Sequence, residues 1–505
     1  MFDLSLIYSF LKKTFKRKDI LLITVLIILY LATRLINLDK FPIFSDEGIY
    51  IRWAKVAWHD ASWRFISLTD GKQPLQTWAT IPFLKLFPDN ALFGARLFAV
   101  TTGFFALTGI FSLLAYLFGK KAAFLGAFFY IFTPFFLFYD RLALIDSGVN
   151  AFFIWILFLS IIFAKMRRID VAFLFGLLGG LALLSKSSVR IFIGLAGLAP
   201  VLFLEKNIER FTKHLGNFIF LYIMASLLAI VIYNIQRLSP FFHYVSQKNT
   251  TFVMTFDEFF QNPFAVFFSN IKLIPLYISW EMGFFLSVFG IVGLFILYKR
   301  DKRLFVYFIL WLVIPFFIVS FLSKVLFPRY IIFFGSLLLI SSVYFFTHIK
   351  NKKIFNFLIL GFVLSAFYYN YAILFKPQYL PFPPIDRGQY IEGWTAGWGM
   401  KEIIDFAREK SKEKPVVIVA EGNFGLAADV LDVFLKKDDR IYIRGYWPIG
   451  EKELLDHQKD LKSNYVFVVL AHQFDYPANW PLKLIKKIEK PGNESVTYLL
   501  ELKEK

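Results

Sequence analysis

The sequence predicts a polytopic α-helical membrane protein of about eleven spans with an external α/β domain at its C-terminal end. Three observations predict it. Of the 505 residues, 57% are hydrophobic and 18% charged, more apolar side chain than a soluble core can bury. Apolar runs close to the ~20-residue length that crosses a bilayer recur along most of the chain. Beyond about residue 375 the composition changes: charges and prolines become frequent, and helix-like and strand-like patterns alternate.

In chain order, the runs place spans near 19–36, 92–118, 122–139, 147–164, 171–185, 188–204, 215–235, 276–298, 304–322, 330–348 and 354–374. Segment 76–87 is too short to span, and 259–275 reads as re-entrant or interfacial. Basic residues cluster in short breaks between runs: Lys12, Lys13 and Lys16–Lys18; Lys120–Lys121; Lys165–Arg168; Lys206–Lys213; Lys299–Arg303; Lys350–Lys353. They alternate with less basic loops, the positive-inside pattern, so the net charge of +19 sets topology and does not point to nucleic acid. No small-residue cleavage site follows the first run, which is read as an uncleaved first helix. There is no cysteine, which excludes disulfides and thiolate metal sites.

With the N-terminus cytoplasmic, the outer face receives loop 37–91, the short turn 141–146, loop 236–275 and the tail. The expected division is a membrane domain, 1–374, and an extracytoplasmic α/β domain, 375–505. In the latter, Met400–Lys412 reads as an amphipathic helix and Leu426–Leu435 as a second one. Val416–Ala420, Ile441–Ile443, Tyr465–Leu470 and Tyr498–Leu502 read as strands.

The residues that suggest chemistry gather on the outer face. Asp46 and Glu47 follow the first span and open a helix-like stretch in which Ile49, Trp53 and Val56 share a face, as in a helix lying on a bilayer surface. Asp46 also suits a helix cap, aided by Glu47. Arg141 and Asp146 sit between two long apolar runs, where ionisable groups pair or line a cavity. Lys186, Arg190, Lys324 and Arg329 lie in outer turns that the positive-inside trend should leave free of cations, so they invite an anionic partner; Arg can grip a phosphate with two parallel hydrogen bonds. Asp70-Gly71-Lys72 is a turn at the far end of the first loop. The six histidines show no metal-ligand spacing. A transporter or flippase is the alternative, but its charges belong near span centres, in paired halves.

In order and membrane side, these short motifs resemble the membrane glycosyltransferases of the GT-C superfold. The nearest likeness is to glycosyltransferase family 39, the protein O-mannosyltransferases, and to the aminoarabinose transferases. The resembling features are Asp46-Glu47, Pro74-Leu75, Arg96-Leu97, Arg141 through Asp146, Leu184-Ser185-Lys186 and Pro328-Arg329-Tyr330. Gln73 departs from the second proline that relatives often have there. Tyr390 through Gly399 looks like bacterial members with their own external domain.

The resemblance implies an enzyme of the inner (plasma) membrane that moves a sugar from a polyprenyl-phosphate donor to a hydroxyl acceptor on a protein, lipid or glycan, with inversion. It implies Asp46 as general base and Asp146 as the second catalytic acid, with Glu47 in support. Lys72, Arg141, Lys186, Arg190, Arg329 and Tyr330 would bind the donor phosphate. No cofactor is required, although some relatives use a divalent ion, Mg2+ or Mn2+, which Asp46 and Asp146 would hold.

Overall fold

The computed structural model describes residues 16–473 and 475–504; Lys12 and Lys13 of the first basic cluster lie outside them. Six described helices are long and apolar enough to cross a membrane: Ala91–Phe118, Asp146–Met166, Ile208–Leu238, Lys302–Leu322, Pro328–Thr347 and Lys352–Phe375. A bent pair, Phe267–Glu281 and Phe285–Arg300, makes a seventh if counted as one span. By length and composition the described helices therefore do not reach eleven.

The remaining expected spans are helical but short or broken, for local reasons. Pro134, which lacks an N–H and crowds the preceding turn, separates Lys120–Phe132 from Pro134–Tyr139. Gly283 and Phe284 both take positive φ, 66° and 63°, and the chain turns by 112° between the two helices of the bent pair. Ile169–Leu183 and Val189–Phe203 are short apolar helices on either side of the Lys186 turn. Arg17–Leu35 is continuous, but it carries the buried Arg34, which pairs with Asp140 at 3.1 Å.

Between lipid-facing helices the hydrophobic effect gives little net drive, so close packing and buried polar contacts must hold the bundle. Aromatic rings fill much of the interior: Phe129 meets Phe362 edge-on at 4.7 Å and Phe346 at 5.0 Å. Glycine permits the closest helix approach. A Cβ on Gly293 would fall 1.8 Å from the Ser341 carbonyl oxygen, so helices Phe285–Arg300 and Ile332–Thr347 touch backbone to backbone there.

The C-terminal part is a five-stranded sheet with helices. After the two-residue strands β1 (Ile43–Phe44) and β2 (Ala396–Gly397) come β3 (Val416–Glu421), β4 (Ile441–Tyr446), β5 (Tyr465–Leu470), β6 (Leu482–Glu489) and β7 (Val496–Leu502). The sheet order is β4-β3-β5-β7-β6, with β4, β3 and β5 parallel and β7 and β6 antiparallel. β3 reads Val-Val-Ile-Val-Ala-Glu and is buried throughout, as expected for a parallel strand covered on both faces. The lysines of β6, Lys483, Lys486 and Lys487, suit its place at the exposed edge of the sheet.

Two contacts among those that bind this domain to the membrane part seat the segment around Asp46. β1 and β2 pair antiparallel, Ile43 opposite Gly397 and Phe44 opposite Ala396. Helix Ser45–His59 packs on helix Ala428–Val433, where a Cβ on Gly48 would come 3.1 Å from both the Val430 backbone nitrogen and its Cα. Arg52–Asp429 (2.9 Å) and Lys55–Asp432 (3.4 Å) rim that contact. The helix read as lying on the bilayer is thus covered by the C-terminal sheet domain.

Lys490, in the same domain, is buried and donates to the carbonyls of Gly393 and Trp394 at 3.3 and 3.1 Å. Burial pushes its ammonium from 10.5 down to about 7. Between those values the unfolded chain holds a proton that the folded chain releases, so this contribution to stability rises with pH across the window and is lowest below it. Lys490→Met should remove that slope from thermal unfolding measured between pH 7 and 10.

Candidate active site

Glu47 starts the site. Its Oε2 accepts from the Phe44 N–H at 3.0 Å, closing the N-terminus of helix Ser45–His59. It also forms a two-pronged ion pair with Arg96: Nε to Oε1 at 2.8 Å and NH2 to Oε2 at 2.7 Å, both side chains fully buried. Arg96 spends its other protons on the carbonyls of Leu38, Phe41 and Pro42, and Glu47 Oε1 also takes the Ala143 N–H at 2.8 Å. Glu47, and not Asp46, is therefore the cap. One acid ties together the first loop, the second predicted span and the turn before Asp146.

Asp46 stands next to that anchor in the first helical turn, its side chain about one-third exposed, and pairs with Arg329 at 3.0 Å. Arg329 is itself buried. Its NH1 donates to Tyr390 Oη at 3.2 Å and its guanidinium lies 5.0 Å from the Phe44 ring centre, while its Nε–H has no partner among the described residues. Asp146, at the first turn of helix Asp146–Met166, pairs with Lys186 at 2.7 Å, and Lys186 Nζ also sits 4.2 Å above the Tyr330 ring.

These residues face one cavity of about 440 Å³. Two carboxylates, Asp46 and Asp146, line it together with five cations: Lys72, Lys186, Arg190, Lys248 and Arg329. Another part of the wall is apolar, from Ile191, Phe252, Ile318, Leu322 and Ile331. Local bonds fix the cationic rim. Gln73 donates to Ser187 at 2.6 Å and Leu75 N–H to the Leu184 carbonyl at 3.0 Å, joining the Lys72 loop to the Lys186 turn. Gln73, the departure from the usual proline, thus has a bond that proline could not make. Lys248 pairs with Asp70 at 2.5 Å, and Lys72 lies 5.1 Å from the Phe252 ring centre. Arg190 donates to Tyr233 Oη at 2.8 Å.

Tyr50 lines the cavity as well. Desolvation, followed by the nearby charges of Asp46 and Asp146, holds its phenol well above the ordinary value of 10, so it stays a neutral O–H donor.

Arg141 needs correction. It does not line the cavity; it donates to the carbonyls of Thr33, Arg34, Ile36 and Asn37 at 2.6–3.1 Å. These lie at the C-terminal end of helix Arg17–Leu35, where carbonyls lack intrahelical partners and carry partial negative charge. Arg141 is a helix cap. Lys324 also stands apart from the lining, paired with Glu258 at 2.6 Å.

Tyr50, Lys248 and Tyr390 were missed from the sequence. Lys248 could have been found, as a further cation in loop 236–275, which the sequence reading places on the same side as Lys186 and Arg329; a lone tyrosine gives no such signal. As for a divalent ion, each acid is already matched by its own cation, and no group of three or more His, Asp or Glu gathers among the described residues.

Residues 71–234 match the sequence model of the dolichyl-phosphate-mannose-protein mannosyltransferase family. That segment holds Lys72, Asp146, Lys186 and Arg190 but neither Asp46 nor Arg329. No curated protein sequence matches the chain significantly. Among solved structures, the fold is similar to ArnT from Cupriavidus metallidurans bound to undecaprenyl phosphate. There the TM-score is 0.60 at 12% identity, over 95% of this chain and 97% of that one. ArnT in the apo state gives 0.56 at 14%, with the same coverage. The archaeal oligosaccharyltransferase AglB from Archaeoglobus fulgidus, in complex with an inhibitory peptide and a dolichol-phosphate, gives 0.51 at 11%, over 91% of this chain and 70% of that one. In sequence over residues 71–234, and in fold over 95% of its length, the chain resembles the membrane glycosyltransferases of the GT-C superfold.

Proposed function

We propose that the chain transfers a sugar from a polyprenyl-phosphate donor to a hydroxyl acceptor at the outer face of the membrane, with inversion. The observation that carries this reading is the cavity itself, with two carboxylates among five cations against an apolar wall. A lipid phosphate needs the cations for its headgroup and the apolar wall for its chain. The acceptor hydroxyl needs a carboxylate that can take its proton as it attacks the sugar.

In this reading the acceptor oxygen forms a bond to the anomeric carbon while the carbon–oxygen bond to the phosphate breaks. The hydroxyl proton passes to Asp46, and the bonding pair leaves on the phosphate oxygen. Lys186, Arg190 and Lys72, with Lys248, hold the phosphate and neutralise its growing charge. Arg329 fixes one oxygen of Asp46 and adds its positive charge to the cavity wall. Asp146, steered by Lys186, positions sugar or acceptor hydroxyls, and Tyr330 supports Lys186 by its ring. The N-terminus is cytoplasmic and the sheet domain extracytoplasmic in this arrangement.

The test is incubation of purified protein with a panel of polyprenyl-phosphate sugars, followed by mass analysis of lipid and acceptor products. Release of polyprenyl phosphate with a glycosylated product is expected; no transfer from any donor would defeat the reading. Because protein cations supply the charge compensation, EDTA should leave the rate unchanged, and a loss restored by Mg2+ or Mn2+ would reassign Asp46 and Asp146 as metal ligands.

A further inference from the structure

A second cluster of chemistry-bearing side chains lies outside the membrane cavity, at the carboxyl ends of β3 and β5. Glu421 ends β3 and is buried; its Oε2 accepts the N–H groups of Ala471 and His472, just beyond β5, at 2.8 and 2.7 Å. The His472 ring packs against two indoles, with ring centres 4.5 Å from Trp394, tilted, and 4.8 Å from Trp447, edge-on. Its Nδ1 is 3.6 Å from the Glu421 carboxylate and has no hydrogen-bond partner among the described residues.

The position is significant in the topology. From β3 the chain passes to β4 on one side and then to β5 on the other, so the strand order reverses between β3 and β5. Open α/β sheets hold their ligands in the crevice at the carboxyl ends of the strands flanking such a reversal. Glu421 and His472 stand at that crevice.

The exposure of the rings is unusual. Trp394 is 48% and Trp447 61% exposed, although both are anchored on one ring. A large apolar surface held open and fixed in orientation is suited to binding, because little freedom is lost when a ligand lands. We propose that Trp394, His472 and Trp447 form a saccharide platform that holds a sugar ring of the acceptor. This rests on the transferase reading above and gives its acceptor a chemical class.

Three features favour a saccharide. A pyranose ring has a face of C–H bonds that packs on the electron-rich face of an indole, and an edge of hydroxyls that must find hydrogen-bond partners. Tyr446, immediately before Trp447, lines a cavity of about 310 Å³ with Asn423, Asp429, Asp432 and Arg444, which can serve such hydroxyls. The acids of this region are matched, Asp429 by Arg52 and Asp432 by Lys55, so it presents no excess positive charge of the kind a nucleotide or another anion would need.

The platform is also within reach of Asp46. The carbonyl of Thr395, next to Trp394, accepts the N–H of Ser45, next to Asp46, at 3.0 Å. With ~3.8 Å between successive Cα atoms and ~5 Å between paired strands, the path from Trp394 to Asp46 is at most about 13 Å. Lys490 grips the Trp394 carbonyl from the other side.

The test is calorimetric titration of the full-length protein in detergent with short oligosaccharides of mannose, of glucose and of N-acetylglucosamine. At least one should bind saturably. Trp447→Ala and Trp394→Ala should each weaken that binding about tenfold, while Trp447→Phe, which keeps an aromatic face, should stay within about threefold of the parent. Equal affinity in both alanine variants would overturn the proposal, as would binding of an unglycosylated peptide with no saccharide binding. Calorimetry needs no turnover, so absent binding refutes the platform and leaves the transferase reading standing. Saccharide binding without transfer from any lipid donor refutes that reading instead.

Discussion

Asp46→Asn should reduce sugar transfer about 10²- to 10⁴-fold, the usual contribution of a positioned general base, with expression and thermal unfolding near those of the parent. Asn keeps the volume of the side chain, and Asp46 is not the group that caps its helix; Glu47 is. The structural cost is the ion pair with the buried Arg329, and Asn keeps a side-chain oxygen that can still accept from that guanidinium. If Asp46 is the base, kcat falls while the KM for the lipid donor changes little, because five other groups face the phosphate. If it only holds Arg329, donor KM rises and kcat changes less. Full activity in the Asn variant would remove Asp46 from the reaction.

Arg96→Ala should be the most damaging single change to folding, at about 3–5 kcal/mol, because it leaves Glu47 as an uncompensated buried charge. It also orphans the carbonyls of Leu38, Phe41 and Pro42. Glu47→Ala should cost less than Arg96→Ala plus its own lost bonds to Phe44 and Ala143, and the double variant should be more stable than the two single losses added together. Thermal unfolding of the three variants in one detergent measures that coupling. Additive losses would mean that the pair acts as two independent anchors.

The acids and most of the cations of the cavity were legible because they break rules the membrane imposes. An Asp or Lys at the outer end of an apolar run needs a reason, and Asp46, Asp146, Lys186, Arg190 and Arg329 all line one cavity. Arg141 breaks the same rule for a different reason. No sequence pattern separates an arginine that binds phosphate from one that binds the last carbonyls of a helix distant in sequence. The described helices fall short of eleven spans where hydropathy is blind to backbone: at Pro134, and at Gly283-Phe284, where the run turns just after Glu281. In the sheet domain, the strands with buried apolar side chains were readable. The edge strand β6, with its run of lysines, and the two-residue β1–β2 pair were not. The latter joins positions some 350 residues apart through main-chain bonds that any side chain could make.

That short ribbon bears on how such chains can be re-engineered. Sheet domain and membrane helices look like two cassettes, one to be exchanged for another. Yet the strand leading into Asp46 completes its ladder only with Ala396–Gly397, and the Leu426 N–H bonds the Ser45 hydroxyl at 3.0 Å. A chimera that replaces everything after residue 375 must therefore also transplant the complement of Ile43–Ser45, or the segment bearing Asp46 loses its seat. The exchangeable unit runs across the boundary that composition suggests.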